Sequence, residues 1–271
     1  MLAVELRDVG LIREGQTLLS GVSLGMETGE CCVMLGPNGA GKSSIASIIA
    51  GRLWPSAGVV FVLGQQYGHV DLRSFRKNIG YFQPAFQERT AAYHSLMSAL
   101  DVICTGANNS LALYDEPAPT VRARARALFE EHTLRTGTSF PLDRPYSRLS
   151  SGERRKTLLL RTLMAEPPVL LLDEPYESLD IPSRLEVEAM LEDYMRCRPV
   201  TTLMILHRIE EIPPAATQVM FVRGGQLIGQ GALRDVLVDT RVSELYSVPL
   251  RVGWHGNRAY CVPVSREPDE L

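Results

Sequence analysis

Eight consecutive residues, Gly36-Pro37-Asn38-Gly39-Ala40-Gly41-Lys42-Ser43, limit what this chain can fold into more than any other feature. Glycines at 36, 39 and 41 leave a loop in which backbone N–H groups can converge on an anion with no side chain between them. The run Glu30-Cys31-Cys32-Val33-Met34-Leu35 before the loop reads as an apolar strand, and Ile45, Ile48 and Ile49 after it recur at helical spacing. Strand, glycine loop and helix in that order place the positive end of a helix at the loop and predict a phosphate-binding site. Lys42 can bridge terminal phosphates, the Ser43 hydroxyl can ligate a magnesium ion, and Ser44 completes the cradle. A glycine-rich turn with no ligand is the plainer alternative when the loop is taken alone.

Two further stretches carry chemistry. Val169-Leu170-Leu171-Leu172-Asp173-Glu174 is an apolar strand ending in two carboxylates, so that Asp173 can reach a magnesium shell and Glu174 can polarise an attacking water. Buried strands ending in acids also occur without any catalytic role. Leu149-Ser150-Ser151-Gly152-Glu153 precedes an apolar-periodic helix, and Ser150 with Glu153 alone is a capping box.

Around these stretches the pattern alternates. Ala3 to Val9 and Leu18 to Leu24 read as short antiparallel strands broken at Gly15, Gly21 and Gly29. From Pro84 to Leu149 the spacing turns helical, with an apolar stretch at Leu96 to Cys104, a helix over Val121 to Leu134, and a loop at Asn108 to Pro119. A helix at Arg154 to Ala165, a strand at Val169 to Leu172, a helix at Ser183 to Arg196 and a strand at Thr201 to Leu206 follow. That order predicts an α/β fold with a mostly parallel sheet. Leu250 to Val264 alternates around His255-Gly256-Asn257 and reads as a small hairpin.

Composition excludes more than it selects. A net charge of −3 supplies no field to attract nucleic acid, which is not expected as a partner. The five cysteines contain no CxxC pair, so a zinc site is not expected, and their odd number fits reduced thiols in a cytoplasm. No apolar run approaches the roughly 18 to 20 residues that span a bilayer, so any membrane crossing belongs to another chain.

Taken together, in this order and spacing, the motifs resemble those of the ATP-binding cassette (ABC) ATPases, over about Val4 to Leu237. The Leu149–Glu153 run is similar to that family's signature, Tyr176-Glu177-Ser178-Leu179-Asp180 to its D-loop, and His207 to its switch histidine. The resemblance implies a P-loop NTPase core at 1–83 and 157–240 with an antiparallel N-terminal β subdomain. It further implies an inserted helical subdomain at 84–156 and a C-terminal tail at 241–271. It implies ATP and Mg2+ as ligands, with Glu174, His207 and Gln83 in catalysis and Ser43, Asp173 and Gln83 about the metal. It also implies a head-to-tail homodimer, in which Ser150, Ser151, Gly152 and Glu153 of one copy complete the site formed by the other's Gly36 to Ser43, with Ser44 and Asp180 also among the nucleotide-binding residues. One motif set per chain fits that arrangement.

Three departures stand out. The stretch that in relatives carries an aromatic against adenine reads Leu11-Ile12-Arg13-Glu14-Gly15, leaving Arg13 or Ile12 to cover the base, or solvated surface. Relatives run from the strand through Pro to a glutamine, whereas Gln83-Pro84 is reversed here; either Gln83 or Gln87 takes that role, and Gln83 is preferred. Ser151 and Glu153 replace the usual Gly and Gln, and Glu153 would add an acid near the partner's phosphates, so modest turnover is expected.

The work driven by ATP is read as transport, with the chain as the ATPase subunit of an importer. It would sit at the inner face of the cell membrane on a separate multi-span subunit, with a solute-binding protein as a further candidate partner. The tail Leu245 to Val252 resembles the ends of ATPases for iron-siderophore, haem and cobalamin uptake. Leu53-Trp54-Pro55 and the stretch from Val62 to Arg73 resemble a molybdate-type or photorepair-type group. A soluble cassette acting on ribosomes or DNA, and a low-turnover ATP-dependent regulator, are the alternatives.

Overall fold

The computed structural model describes residues 1–83, 95–108, 115–137 and 139–264. In chain order the main elements begin with β1 (Leu2–Arg13), β2 (Gln16–Glu27), β3 (Cys31–Leu35), α1 (Lys42–Ile49), β4 (Ala57–Val62), β5 (Gln65–Gln66), α2 (Leu72–Phe75) and β6 (Ile79–Phe82). They continue with α3 (Ala99–Cys104), α4 (Pro119–Thr136), α5 (Ser151–Leu163), β7 (Val169–Asp173), α6 (Ile181–Cys197) and β8 (Thr201–Ile205). The chain ends with β9 (Gln218–Arg223), β10 (Gln226–Ala232), α7 (Leu233–Val236), α8 (Asp239–Tyr246), β11 (Leu250–His255) and β12 (Arg258–Pro263). The chain divides into two compact units, Met1–Val70 with Leu203 onward, and Asp71–Thr202.

In the first unit β1 pairs antiparallel with β2 and with β4, and β5 completes a four-stranded sheet. Alternation drives this pairing: Val4, Leu6, Val9 and Leu11 of β1 and Leu19, Val22, Leu24 and Met26 of β2 are buried. Both strands run to twelve residues, longer than the short segments the sequence predicts. Gly21, expected to break β2, instead lies within it at φ +61°, and Asp8 of β1 takes a positive φ of 49°. The register shifts there, because a bulge absorbs a positive φ without ending the ladder. The predicted break at Gly15 is a tight turn with Glu14, both at positive φ. β3 is buried throughout and pairs parallel with β9, which turns antiparallel into β10 through Gly224-Gly225.

The C-terminal hairpin forms as the sequence predicts, with β11 antiparallel to β12 about Gly256-Asn257. Both of its open edges are closed by side chains. Cys261 N–H donates to Glu210 Oε1 at 2.9 Å, and on the other edge Val252 N–H donates to Asp239 Oδ1 at 2.7 Å and Leu250 N–H to Ser243 Oγ at 2.9 Å. Capped edges of this kind discourage pairing with foreign strands.

In the second unit β6 and β7 are a parallel pair, Ile79 opposite Val169 through Phe82 opposite Leu172. Among the described residues the helices α2 to α6 accompany them. α3 begins at Ala99 rather than Leu96, because Ser98 caps it by accepting from Asp101 N–H at 3.1 Å, and Leu96 is left exposed. α4 starts on a proline and ends on left-handed Gly137, the asymmetry expected of helix ends. Its buried side chains are Ala125, Phe129 and His132, and Phe129 meets Phe140 edge to face with centroids 4.9 Å apart. α5 is anchored to the chain after α3 by Arg161 Nε, which donates to Thr105 Oγ1 at 2.8 Å.

His132 is the weak point of this helical packing. It is 4% exposed, neither ring nitrogen has a partner among the described residues, and with Leu128, Leu160 and Tyr194 it lines a cavity of about 20 Å³. Burial, with the charge of Lys156 adding to it against the opposing Glu186 and Asp193, pushes its pKa down to about 4. Between about pH 6.5 and pH 4 the unfolded chain takes up a proton that the folded chain refuses, so stability is full above that window and falls as pH drops through it. From pH 7 to pH 5 the loss from this residue is about 2 kcal/mol. His132→Leu is expected to lose correspondingly less stability over that interval, read as the urea midpoint of wild type and variant at both pH values.

Candidate functional site

The glycine loop belongs to the first unit and is pressed against the β9–β10 turn. A Cβ on Gly36 would lie 2.0 Å from the Val222 carbonyl oxygen, and one on Gly41 would lie 2.5 Å from Leu19 Cδ2 and 3.3 Å from the Leu18 carbonyl. Gly41 also holds φ at +104°, where L side chains are strained. The backbone is locked from both sides: Ala40 N–H donates to Pro37 O at 3.2 Å, and Gly225 N–H donates to Ala40 O at 3.0 Å. Asn38 and Gly39 form the exposed crest of the loop, while Pro37, Gly41, Ser43 and Ser44 are half-buried.

At the start of α1, Gly41 provides the N-cap and no side chain caps the helix, nor does an acid stand in its first turn. No side chain of the protein therefore competes as a cap with an anion placed on the loop at that helix end. Lys42 is 5% exposed, and its Nζ donates to the Gly36 and Pro37 carbonyls at 2.7 and 3.0 Å, so the ammonium is folded over the loop it serves. Loop, uncapped helix end and folded-back lysine suit a phosphate chain. His207 follows β8 in the same unit, half-buried, and its carbonyl accepts from Tyr246 Oη at 3.5 Å.

Asp173 and Glu174 belong to the second unit. Asp173 ends β7 and is 2% exposed; Glu174 is half-buried and opens a turn in which its own φ is +52° and that of Ser178 is +59°. Glu177 N–H closes that turn on Glu174 O at 3.2 Å. Gln83, half-buried, comes directly after β6, the parallel neighbour of β7. Pro84 and Gln87 lie outside the described residues.

The stretch Ser150–Glu153 starts α5 as a complete capping box. Ser150 Oγ accepts from Glu153 N–H at 3.2 Å, and Glu153 Oε2 accepts from Ser150 N–H at 2.7 Å. The Glu153 carboxylate is also met by Arg144 Nη1 at 3.3 Å, a neighbour that sequence spacing does not reveal. Gly152 is buried where α5 passes α6, and a Cβ there would lie 2.8 Å from Ser183 Oγ. Ser150 and Ser151 are exposed. Asp180 is the N-cap of α6, accepting from Ser183 N–H at 3.0 Å, and hydrogen bonding from Ser183 holds its carboxyl below the usual range. The structure thus brings Gly152 to the residue that Asp180 binds, although the two are far apart in sequence.

Arg155 carries no signal in the sequence beyond being one of two adjacent arginines. It is 5% exposed and donates through Nη1 to Glu174 O at 3.2 Å and through Nη2 to Glu177 O at 2.6 Å. Its guanidinium lies over the Phe82 ring, 5.4 Å from the centroid.

Arg13 ends β1, exposed, and Ile12 is 57% exposed with its N–H on Ser56 Oγ at 2.9 Å. Among the described residues no cluster of three or more His, Cys, Asp or Glu could hold a metal ion, and no helix is long and apolar enough to cross a membrane.

Comparison with known proteins agrees with the motif order. A family model described as ABC transporter matches residues 19–177, which include both the glycine loop and the Asp173-Glu174 strand end. An uncharacterised ABC transporter ATP-binding protein of Bacillus subtilis, YlmA, is 30% identical over 95% of this chain and 96% of its own length. The thiamine import ATP-binding protein ThiQ of Salmonella choleraesuis is 32% identical over 79% of this chain and 85% of that protein. Among solved structures, cbiO1 from Clostridium perfringens, part of the ABC transporter complex cbiONQ, has a TM-score of 0.73 at 25% identity and covers 90% of this chain and 93% of its own. An uncapped helix behind a glycine cradle, two acids at the end of a buried strand and a family match spanning both place the chain in the ABC transporter family, as one of its ATP-hydrolysing cassettes.

Proposed function

We propose that this cassette is the energy-supplying subunit of an importer, closing head to tail with a second copy around ATP and passing that motion to a separate membrane subunit. The observation that carries the nucleotide half of this reading is the loop itself: a glycine turn packed so closely that a Cβ at residue 36 would strike the Val222 carbonyl and one at 41 the Leu19 side chain, ahead of a helix whose N-terminus has no side-chain cap. Gly36 to Ser44 hold the phosphates through main-chain N–H groups, and Lys42 turns from its own loop carbonyls to the terminal phosphate. Ser43, Asp173 and Gln83 carry the oxygen donors that suit Mg2+, which when bound offsets phosphate charge.

Glu174 is the residue that polarises the attacking water, and His207 holds the terminal phosphate from its place after β8. The second copy supplies Ser150, Ser151, Gly152 and Glu153, with Asp180 beside them. One motif set in the chain supports that exchange, since a set used only by its own chain would leave the exposed Ser150 and Ser151 without a role. Ile181, 75% exposed, and Leu185, 52% exposed, add an apolar strip next to Asp180 that a partner copy would cover. Arg13, at the end of β1, is the side chain proposed to cover the adenine ring. Import is favoured by the thiamine-import relative, and a membrane partner by the cbiO1 neighbour's place in a transporter complex. The chain would then sit at the cytoplasmic face of that partner, with a solute-binding protein as a further component.

Glu174→Gln is expected to lower ATP turnover by at least about 10²-fold while leaving ATP affinity intact, and to elute with ATP as a dimer. Turnover at the wild-type rate would remove Glu174 from its role. Head-to-tail exchange has its own measurement. Lys42→Ala and Ser151→Glu chains, each inactive alone, are expected to recover about a quarter of wild-type turnover when mixed in equal amounts, because half the dimers then hold one intact site. No recovery on mixing would rule the exchange out.

A further inference from the structure

Arg155 is a buried cation that makes no ion pair among the described residues. Both of its terminal nitrogens are spent on main-chain carbonyls, Glu174 O at 3.2 Å and Glu177 O at 2.6 Å, while Nε has no acceptor. Keeping a guanidinium 5% exposed with no carboxylate in direct contact, the charges of Glu177 and Glu174 only partly offsetting its burial, is unfavourable unless its hydrogen bonds define something the fold needs. What they define is the Glu174–Glu177 turn. The turn opens on a glutamate at φ +52° and is followed by Ser178 at φ +59°, two conformations that non-glycine residues adopt at a cost of about 1 kcal/mol or more each. One rigid planar fork gripping the carbonyls at both ends fixes the length and tilt of that turn, and with it the direction of the Glu174 side chain.

The other end of the same side chain is anchored in the first turns of α5. Arg155 follows Ser150, Ser151, Gly152 and Glu153 on a continuous helix, so a shift of those residues moves the guanidinium. Glutamine at this position has one amide group and lysine a single nitrogen; neither spans two carbonyls three residues apart as a guanidinium does.

We infer that Arg155 is a positioning residue for Glu174: it couples engagement of Ser150–Gly152 by the partner's nucleotide to the orientation of the same chain's Glu174, and so links the two ATP sites of the dimer. This rests on the proposed head-to-tail site and on Glu174 as the water-polarising group.

The test compares Arg155→Lys, Arg155→Gln and Arg155→Met with wild type for kcat, ATP dissociation constant and Hill slope, each after its unfolding midpoint is confirmed. Expected are a kcat lowered about tenfold or more in the Gln and Met variants, partial recovery in Lys, an unchanged ATP affinity and a Hill slope falling toward one. Were Arg155→Met not to fold, the Lys and Gln variants carry the same readouts. A folded Gln variant with wild-type kcat and Hill slope would overturn the inference, as would parallel loss of affinity and kcat. The double variant with Glu174→Gln separates this inference from the reading beneath it. If Glu174→Gln alone retains turnover, the catalytic reading fails; if it is inactive and Arg155→Gln lowers the residual rate by a further tenfold, Arg155 does not act through Glu174.

Discussion

The nucleotide loop exists in its present shape because no side chain stands at Gly36 or Gly41. The Val222 carbonyl occupies the space a Cβ at 36 would need, and Leu18 and Leu19 close in on 41. These contacts bind three remote stretches of the first unit together: the end of β3, the start of β2 and the turn between β9 and β10. Gly225 then donates to the Ala40 carbonyl from the outside. A loop held this way has its N–H groups aimed before any ligand arrives, which spares the ordering cost on binding. The glycines proposed to hold phosphate are thus packing residues as well.

The same economy governs the second unit, where the stretches of chemical interest are also helix ends. Ser150 and Glu153 satisfy the first orphan N–H groups of α5, and Asp180 does so for α6. α1 differs: its N-terminus is left without a side-chain cap. That difference is informative, since a cap on α1 would compete with phosphate for the same donors, whereas caps on α5 and α6 hold the exposed serines at a fixed helix start. Substitution of Ser150 or Asp180 therefore changes stability as well as any contact with nucleotide, and the exposed Ser151 is the cleaner probe of the surface they share.

Most of the secondary structure was legible because its signals are local. Apolar periodicity located β3, α1, β7 and α6 to within a few residues, and the Gly256-Asn257 turn marked the hairpin. What the sequence misjudged was continuity. Gly21 reads as a stop, yet a ladder with partners on the neighbouring strand carries on through it as a bulge. Leu96 reads as the start of an apolar helix, yet Ser98 sets the start and leaves Leu96 outside. Motif order identified the family, but side-chain partners from other elements were invisible. Arg144 beside Glu153 and Arg155 beneath Glu174 are joined by folding and not by spacing, and nothing in two adjacent arginines distinguishes buried Arg155 from half-buried Arg154.

Glu153 shows how much such a partner changes. Read alone, an acid in place of glutamine at the signature would repel the phosphates brought by a second copy. In the structure its carboxylate turns back on its own helix, accepting from Ser150 N–H, with Arg144 at 3.3 Å on its other side. A glutamine could accept the same main-chain bond but would leave the arginine uncompensated, so glutamate here is matched to Arg144 and the local charge is close to neutral. The exposed Ser150 and Ser151 stand at that helix start, with the Glu153 carboxylate held on the Ser150 N–H and met by Arg144. Glu153 with Arg144 beside it thus brings little net charge to that helix start.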